Sequence, residues 1–363
     1  MTGKNPQIGA ERPIAPGGDP YGTHRSIEPK AALPQPAWRL DADFARLFEG
    51  EALIEVETLN IDAASFAQME EAARGVESGV ESEVARVVLQ TVAERGKQHN
   101  PVTGSGGMLL GRVLQVAPGR PDDGVDIGRR VATLVSLTLT PLRIDRVRGV
   151  RRGAAQVDVD GEAVVFASGA CVTLPDDLPE RLALAVLDVA GAAPQVARLV
   201  KPGQVVVVLG AGGKSGLLCV AEARRRGGPA ACVVGVESSE RAASDLRALG
   251  LCDAVVPIDA RDPLAVRRSV LQATGGREAD ATFSCVSARD VELSAILSTR
   301  DRGVVYFFAM TTSFTQAALG AEGVGKDVDL FIGNGFARGH AEHTLAMMRE
   351  MPAVRALLET RLV

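Results

Sequence analysis

Aromatic side chains are scarce in this 363-residue sequence, which holds ten Phe, two Tyr and a single Trp, and basic residues are in no excess, 40 Lys and Arg against 45 Asp and Glu. So few rings leave little on which single-stranded bases can stack. A formal charge of −5 provides no phosphate-neutralising surface, so nucleic acid is not an expected partner. Cysteine is sparse too. The five, Cys171, Cys219, Cys232, Cys252 and Cys285, stand far apart, mostly in apolar runs, and none forms a C-x-x-C pair. That is the pattern of buried, reduced thiols in a cytoplasmic protein. Residues 1–30 lack an apolar core, so no secretion signal is expected. The longest apolar stretch, Leu182 to Val200, is interrupted by Asp188, Pro194 and Arg198, which makes a poor membrane span.

What is present is a change of pattern partway along the chain. Residues 1 to about 40 are rich in Pro and Gly without periodicity and read as an extended arm. Glu51 to Asn60 alternates apolar and polar residues as a half-buried strand does, whereas Val84, Val87, Val88 and Val92 recur at helical spacing up to Gly96. Met108–Val116 and Arg130–Leu137 read as strands around a Pro/Gly/Asp-rich loop, typical of a small β-rich domain. From Pro179 onward helical and strand patterns alternate: helices at 179–199, 214–226, 239–249, 263–273 and 290–298, strands at 204–209, 231–236, 254–257, 280–285 and 303–308. Such alternation predicts an α/β fold with a doubly wound parallel sheet covered on both faces. The segment after residue 326 adds one strand and a long helix from Gly339, and no internal repeat is visible.

The sharpest motif is QVVVVLGAGGKSGLLCVAEA, an apolar strand that breaks into Gly210, Gly212, Gly213 and Gly216 and then a helix. Glycines there permit a tight turn, close approach of backbone to a pyrophosphate, and packing of helix on strand. The phosphates then meet the helix N-terminus at Lys214 and Ser215. Glu237 closes the following apolar strand, where an acid accepts hydrogen bonds from ribose hydroxyls and repels a 2′-phosphate, favouring NAD over NADP. Ser238 and Arg241 follow in the same turn, and the arginine keeps NADP in view. Lys214 is either a supplementary phosphate contact or a solvated lysine at the helix start. The GKS triplet imitates a nucleoside-triphosphate loop, but the glycine that such a loop requires five positions before Gly213 is Val208.

A β-rich half followed by a dinucleotide fold and a returning strand and helix resembles the medium-chain dehydrogenase/reductase architecture. The words LNID (59–62), PVTGSGGMLLGRVLQV (101–116), DIGRRVATLVSL (126–137) and VDLFIGNG (328–335) carry the likeness. It implies a GroES-like β-rich substrate or catalytic domain with its arm over 1–175 and a Rossmann domain over 176–322. It further implies that segment 323–363 returns toward the first domain, and that strand 328–332 pairs with its copy in a homodimer. In zinc-dependent members the first two words carry a Cys ligand and a His-Glu pair. Asp62 and Ser105-Gly106 stand there instead, so no metal is expected. By the same analogy Cys285, Val286, Thr311 and Thr312, which follow later strands, line the nicotinamide half. At finer grain, PYGTHRSIEPK (20–30), LPQPAW (33–38), LNIDAASF (59–66), ERGKQHNPVTGSGGML (94–109) and GAGGKSG (210–216) resemble the family of L-erythro-3,5-diaminohexanoate dehydrogenases of anaerobic lysine breakdown. The resemblance implies NAD-dependent oxidative deamination of a small diamino acid at C3, giving 5-amino-3-oxohexanoate and ammonium.

An amine suits a site without zinc, because a neutral nitrogen lone pair expels the hydride unaided. The difficulty becomes deprotonation of the ammonium, for which Asp62, His99 and Glu28 are the candidate bases. Asp62 alternatively holds an ammonium as an ion pair or merely caps a turn, and His99 alternatively ends a loop. Ser65, Thr103 and Ser105 are candidates for orienting water or substrate. Arg25, with His24 beside it, is the candidate for the carboxylate, and Tyr21 covers the pocket or anchors the arm. His340 and His343 form an H-x-x-H pair without a third ligand in view and read as ordinary helix-start residues. The alternatives are a zinc-free reductase of the same architecture acting on an enone, quinone or other amino acid, and a nucleotide-responsive binding protein without turnover.

Overall fold

Alternation after Glu51 produces the strand it predicts, Ala52–Asn60, but this strand is buried on both faces rather than one, with Glu55 as its exposed exception. The reason is its central place in a sheet. The computed structural model describes residues 11–100, 104–121, 124–333 and 335–361, and divides into two compact units, Met1–Leu184 and Ala185–Val363.

The N-terminal unit begins with short strands β1 (Ile14–Ala15), β2 (Ser26–Glu28), β3 (Arg39–Leu40) and β4 (Leu47–Phe48), paired two by two. These pairs tie down residues that lack periodicity and read as a loose arm. They are followed by β5 (Ala52–Asn60), α1 (Ala63–Ala72), α2 (Val80–Arg95), β6 (Met108–Val116), β7 (Arg130–Thr133), β8 (Leu142–Arg151), β9 (Gln156–Val165) and β10 (Cys171–Thr173). An antiparallel sheet of order β10-β7-β6-β5-β9-β8 results. Its core gathers Ile54, Val56, Leu59, Leu109, Val113, Val131, Val157 and Val159, covered by Val84, Val88 and Val92 of α2. The hairpin β8–β9 escapes period-two reading because its register shifts between Ile144 and Arg146 and again between Val147 and Gly149. Each bulge moves the apolar positions by one.

The helix predicted over 179–199 is two, α3 (Glu180–Leu187) and α4 (Ala192–Leu199). The break falls at Gly191, where a Cβ would lie 2.2 Å from the Gly335 carbonyl oxygen. The C-terminal unit continues with β11 (Val205–Leu209), α5 (Lys214–Gly227), β12 (Cys232–Val236), α6 (Glu240–Leu249), β13 (Ala254–Val256), α7 (Pro263–Ala273), β14 (Ala279–Ser284), α8 (Glu292–Ser298), β15 (Thr299–Phe307), α9 (Phe314–Gly323), β16 (Asp329–Ile332), α10 (His340–Glu350) and α11 (Pro352–Arg361). All strand pairs are parallel, in the order β13-β12-β11-β14-β15-β16. The segment after residue 322 belongs to this unit. Strand β16 extends the sheet, α10 packs on α4, and α11 packs on α5 and α6. No single helix among the described residues is long and apolar enough to cross a membrane.

Candidate active site

Strand order reverses between β11 and β14, and in doubly wound sheets ligands bind outside the carboxyl ends of the strands at that reversal. Gly210, Gly212 and Gly213 occupy that place. Gly210 adopts φ +71°, which an L side chain rarely accepts, and a Cβ there would lie 3.0 Å from Val286 Cγ2. A Cβ on Gly216 would fall 2.1 Å from the Gly210 carbonyl oxygen, so only glycine lets α5 approach β11 this closely. Gly213 is the cap of α5 and Lys214 its first residue, so the helix opens directly onto the loop. Its first backbone N–H groups have no intrahelical acceptors and can receive a phosphate.

Glu237 holds the loop from the other side. Its Oε2 accepts from Gly212 N at 2.9 Å and its Oε1 from Ser239 N at 2.9 Å. A Cβ on Gly212 would come within 2.7 Å of the same carboxylate. Glycine loop, helix terminus and oriented carboxylate together form a cradle that fits an adenine dinucleotide. Ser238 lies exposed in the same turn, and Arg241 lies exposed in the first turn of α6. Lys214 meets neither of its sequence alternatives alone, because its Nζ pairs with Asp188 Oδ2 at 3.0 Å. Arg361 was invisible in the sequence. It donates to the Gly212 carbonyl oxygen and, at 2.7 Å, to Asp245, and a contact spanning 149 residues leaves no local signal.

At the end of β14, Cys285 N donates to Leu209 O at 2.9 Å, and Cys285 Sγ lies 3.7 Å from Cys219 Sγ. That hydrogen bond and burial push the Cys219 thiol well above its ordinary pKa, so it is not a nucleophile. Thr311 Oγ1 donates to Ala288 O at 3.2 Å and reaches Val286 O at 3.4 Å, fixing the loop after β14. Ser284 Oγ and Thr312 Oγ1 are buried with no hydrogen-bond partner among the described residues.

In the N-terminal unit, β5 ends at Asn60 and Asp62 caps α1, its Oδ1 accepting from Ser65 N at 2.9 Å. The capping alternative is therefore real, yet half of the carboxylate is left over. Asp62 Oδ2 is buried with no hydrogen-bond partner among the described residues. Ser65 is fully buried, and its backbone N–H holds the Asp62 carboxylate. Against the end of β5 lie the segments that carry His99 and Ser105. A Cβ on Gly107 would meet Asn60 O at 2.1 Å, and one on Gly106 would meet Gln98 O at 2.3 Å. Asn100 N donates to Ser105 O at 2.8 Å, and Asn100 Nδ2 donates to Gln68 Oε1 on α1 at 3.0 Å. Backbone at Asn60, at residues 98–100 and at residues 105–107 is thus brought together, while Thr103 lies outside the described residues. His99 Nδ1 is buried without a partner among the described residues. Burial, then the charges of Lys97 and Arg95, lower the His99 pKa, so its imidazole is neutral at pH 7, an acceptor but a weak base.

The carboxylate receptor read from YGTHR is corrected. Arg25 has 0% exposure, its Nε and Nη2 grip Glu51 at 2.8 and 2.7 Å, and Nη1 donates to Asp43 O at 2.8 Å. His24 accepts from Asp19 N at 3.0 Å, so its Nε2 carries the proton and donates to Glu51 Oε1 at 2.8 Å. Both residues are pins for the arm, and a carboxylate that follows twenty-six positions later is what the sequence reading overlooked. Tyr21 and Glu28 are exposed in the same pinned segment. His340 is buried at the start of α10 with its ring edge-on to Phe336 at 4.9 Å, and His343 Nε2 lies 3.4 Å from Glu222 Oε2. Among the described residues no group of three or more His, Cys, Asp or Glu is placed to hold a metal ion.

A β-rich unit preceding a doubly wound sheet with a glycine loop and an acid after its second strand defines a medium-chain dehydrogenase/reductase fold. Among solved structures, mycobacterial Rv1454c complexed with NADPH matches with a TM-score of 0.55 at 18% identity, over 86% of this chain and 89% of that one. Sequence relatives narrow the class. The L-erythro-3,5-diaminohexanoate dehydrogenase of Acetoanaerobium sticklandii is 48% identical over 343 residues, 93% of this chain and 97% of that protein. Its namesake from Fusobacterium nucleatum subsp. nucleatum is 46% identical over 341 residues, 93% and 96% respectively. The family model for the L-erythro-3,5-diaminohexanoate dehydrogenase N-terminal domain matches residues 24–175. This chain belongs to the L-erythro-3,5-diaminohexanoate dehydrogenase family and is an oxidoreductase.

Proposed function

We propose that the chain catalyses oxidative deamination of L-erythro-3,5-diaminohexanoate at C3 with NAD, as a step of lysine fermentation. The balance is one substrate ammonium, one NAD⁺ and one water giving 5-amino-3-oxohexanoate, ammonium, NADH and a proton. The observation that carries this reading is the buried Asp62 Oδ2, which has no hydrogen-bond partner among the described residues. A buried carboxylate oxygen without a donor is costly, and an ammonium group supplies both the hydrogen bond and the opposite charge.

NAD, when bound, supplies the hydride acceptor. The chain's own task is the proton. An alkyl ammonium of pKa about 10.4 is neutral in roughly one molecule in 2,500 at pH 7, a cost of about 4.6 kcal/mol. Asp62 holds the ammonium and takes its proton through Oδ2, while Ser65 N–H keeps Oδ1 fixed and so aims the second oxygen. Ser105 and His99 are assigned to order the water that must replace nitrogen. On the cofactor side, Gly210, Gly212, Gly213, Ser215 and Gly216 receive the pyrophosphate, and Glu237 the ribose hydroxyls, which favours NAD. The partner is a small diamino acid, with a second copy of the chain joined through β16. We assign the protein to the cytoplasm on the wide spacing of its five cysteines, none in a C-x-x-C pair.

The test is purified protein with NAD and L-erythro-3,5-diaminohexanoate. Equimolar NADH and ammonium are expected, with Asp62→Asn lowering kcat/KM about 100-fold or more and leaving NAD affinity unchanged. NADH formed without ammonium, or turnover of enones in place of the diamine, would overturn the reading.

A further inference from the structure

Two cations near the end of α2 lack an ion-pair partner among the described residues. Arg95 is 7% exposed, its guanidinium carbon lies 3.7 Å from the centre of the Trp38 ring, and its Nη1 donates to His99 O at 3.4 Å. Lys97 has 0% exposure, and its Nζ donates to two neutral carbonyls, Pro34 O at 2.7 Å and Gln35 O at 3.0 Å. Neither forms an ion pair among the described residues. Gln98, next in the chain, also has 0% exposure, and both its amide atoms lack a hydrogen-bond partner among the described residues.

Buried charge without a counter-ion is unfavourable, and a buried amide with neither donor nor acceptor satisfied adds to the cost. Burial lowers the pKa of Arg95 and brings that of Lys97 down to about 8, as expected where an anion is wanting. The proposed substrate has one carboxylate, and Arg25, which seemed fitted to receive it, is paired with Glu51. We propose that Arg95, with Lys97 and Gln98 beside it, receives the carboxylate of the substrate. This rests on the deamination reading, and it adds three residues that the pattern of the sequence did not single out.

Arg95 is the direct receptor for a geometric reason. Trp38 covers one face of the guanidinium, so an anion meets its edge, where the N–H donors match a carboxylate in pairs. Two of the three Lys97 N–H groups are taken by carbonyls, and its charge acts from behind. The Gln98 amide nitrogen supplies a neutral donor. The same cations also touch the 33–38 segment, so a purely structural clamp is the reading to exclude.

Trp38 is the sole tryptophan of the chain and is stacked on Arg95, so its emission reports the site without turnover. The intact enzyme is titrated with L-erythro-3,5-diaminohexanoate, with 3-aminobutanoate, which keeps the carboxylate, and with pentane-2,4-diamine, which lacks it. A saturable change in emission is expected with the two acids and none with the diamine, and Arg95→Met abolishes it. The same variant lowers kcat/KM for the diamino acid about 100-fold while changing that for pentane-2,4-diamine less than about threefold, and Arg95→Lys recovers part of the loss. A clamp instead gives equal losses on both substrates, a lowered Tm and an emission response indifferent to the carboxylate; any of these overturns the proposal. If Arg95→Met does not fold, Lys97→Met and Arg95→Lys are read by the same titration. Carboxylate-dependent emission without any NADH from amines would sink the deamination reading and leave the anion site standing. Turnover without that dependence would do the reverse.

Discussion

Glu237 shows how much one side chain can organise. Its two oxygens are each engaged by a backbone N–H, from Gly212 and Ser239, so the acid is oriented before any ribose arrives. On the proposed reading, removing it deletes a ribose contact and loosens the loop together. Glu237→Ala is expected to raise the KM for NAD about 10- to 100-fold with little change in kcat, measured by initial rates at saturating amine; unchanged NAD kinetics would refute the role. Glu237 was legible because glycine loop, strand and acid follow one another at fixed spacing. Arg25 shows the opposite case. Residue type announced a cation, but only the fold reveals that Glu51 already neutralises it. Arg95, Lys97 and Gln98 were passed over because helix-end cations ordinarily lie in solvent, and nothing in their spacing tells of burial.

At the scale of elements, the pinned arm depends on a buried cluster. Arg25 and His24 both donate to Glu51, and Arg25 also stacks near Phe44 and Phe48, 5.6 and 5.0 Å from their ring centres. Removing one partner leaves a buried charge uncompensated, so Arg25→Ala should cost about 3–5 kcal/mol, read by denaturant unfolding. Burial alone would raise the Glu51 pKa, but the hydrogen bonds from Arg25 and His24 outweigh it and hold the group below 4.5. Its stabilising contribution is therefore complete above pH 4.5 and is lost as pH falls through the lower folded value. Glu51→Gln should flatten that acid limb, and an unaltered acid transition would remove Glu51 from the account. The parallel half was readable element by element, since short buried strands alternate with amphipathic helices. The β8–β9 hairpin was not, since its bulges interrupt the alternation that identifies strands.

For the molecule as a whole, the parallel sheet ends at β16, whose outer edge has no neighbour among the described residues. Phe331 is 38% and Ile332 61% exposed there. Unpaired edges with apolar side chains invite another strand, and the expected occupant is β16 of a second copy. Ile332→Lys should shift a dimer toward monomer in sedimentation equilibrium, with NAD affinity retained; a wild-type monomer at micromolar concentration would exclude the pairing. Order along the sheet was foreseeable from alternation, because short crossovers leave few parallel arrangements. The membership of the last forty or so residues was not, since packing of α10 and α11 on α4, α5 and α6 is a matter of faces meeting across the unit.

The grip of Arg361 on the Gly212 carbonyl ties helix α11 to the glycine loop, so a change in how that helix packs is felt at the turn between β11 and α5.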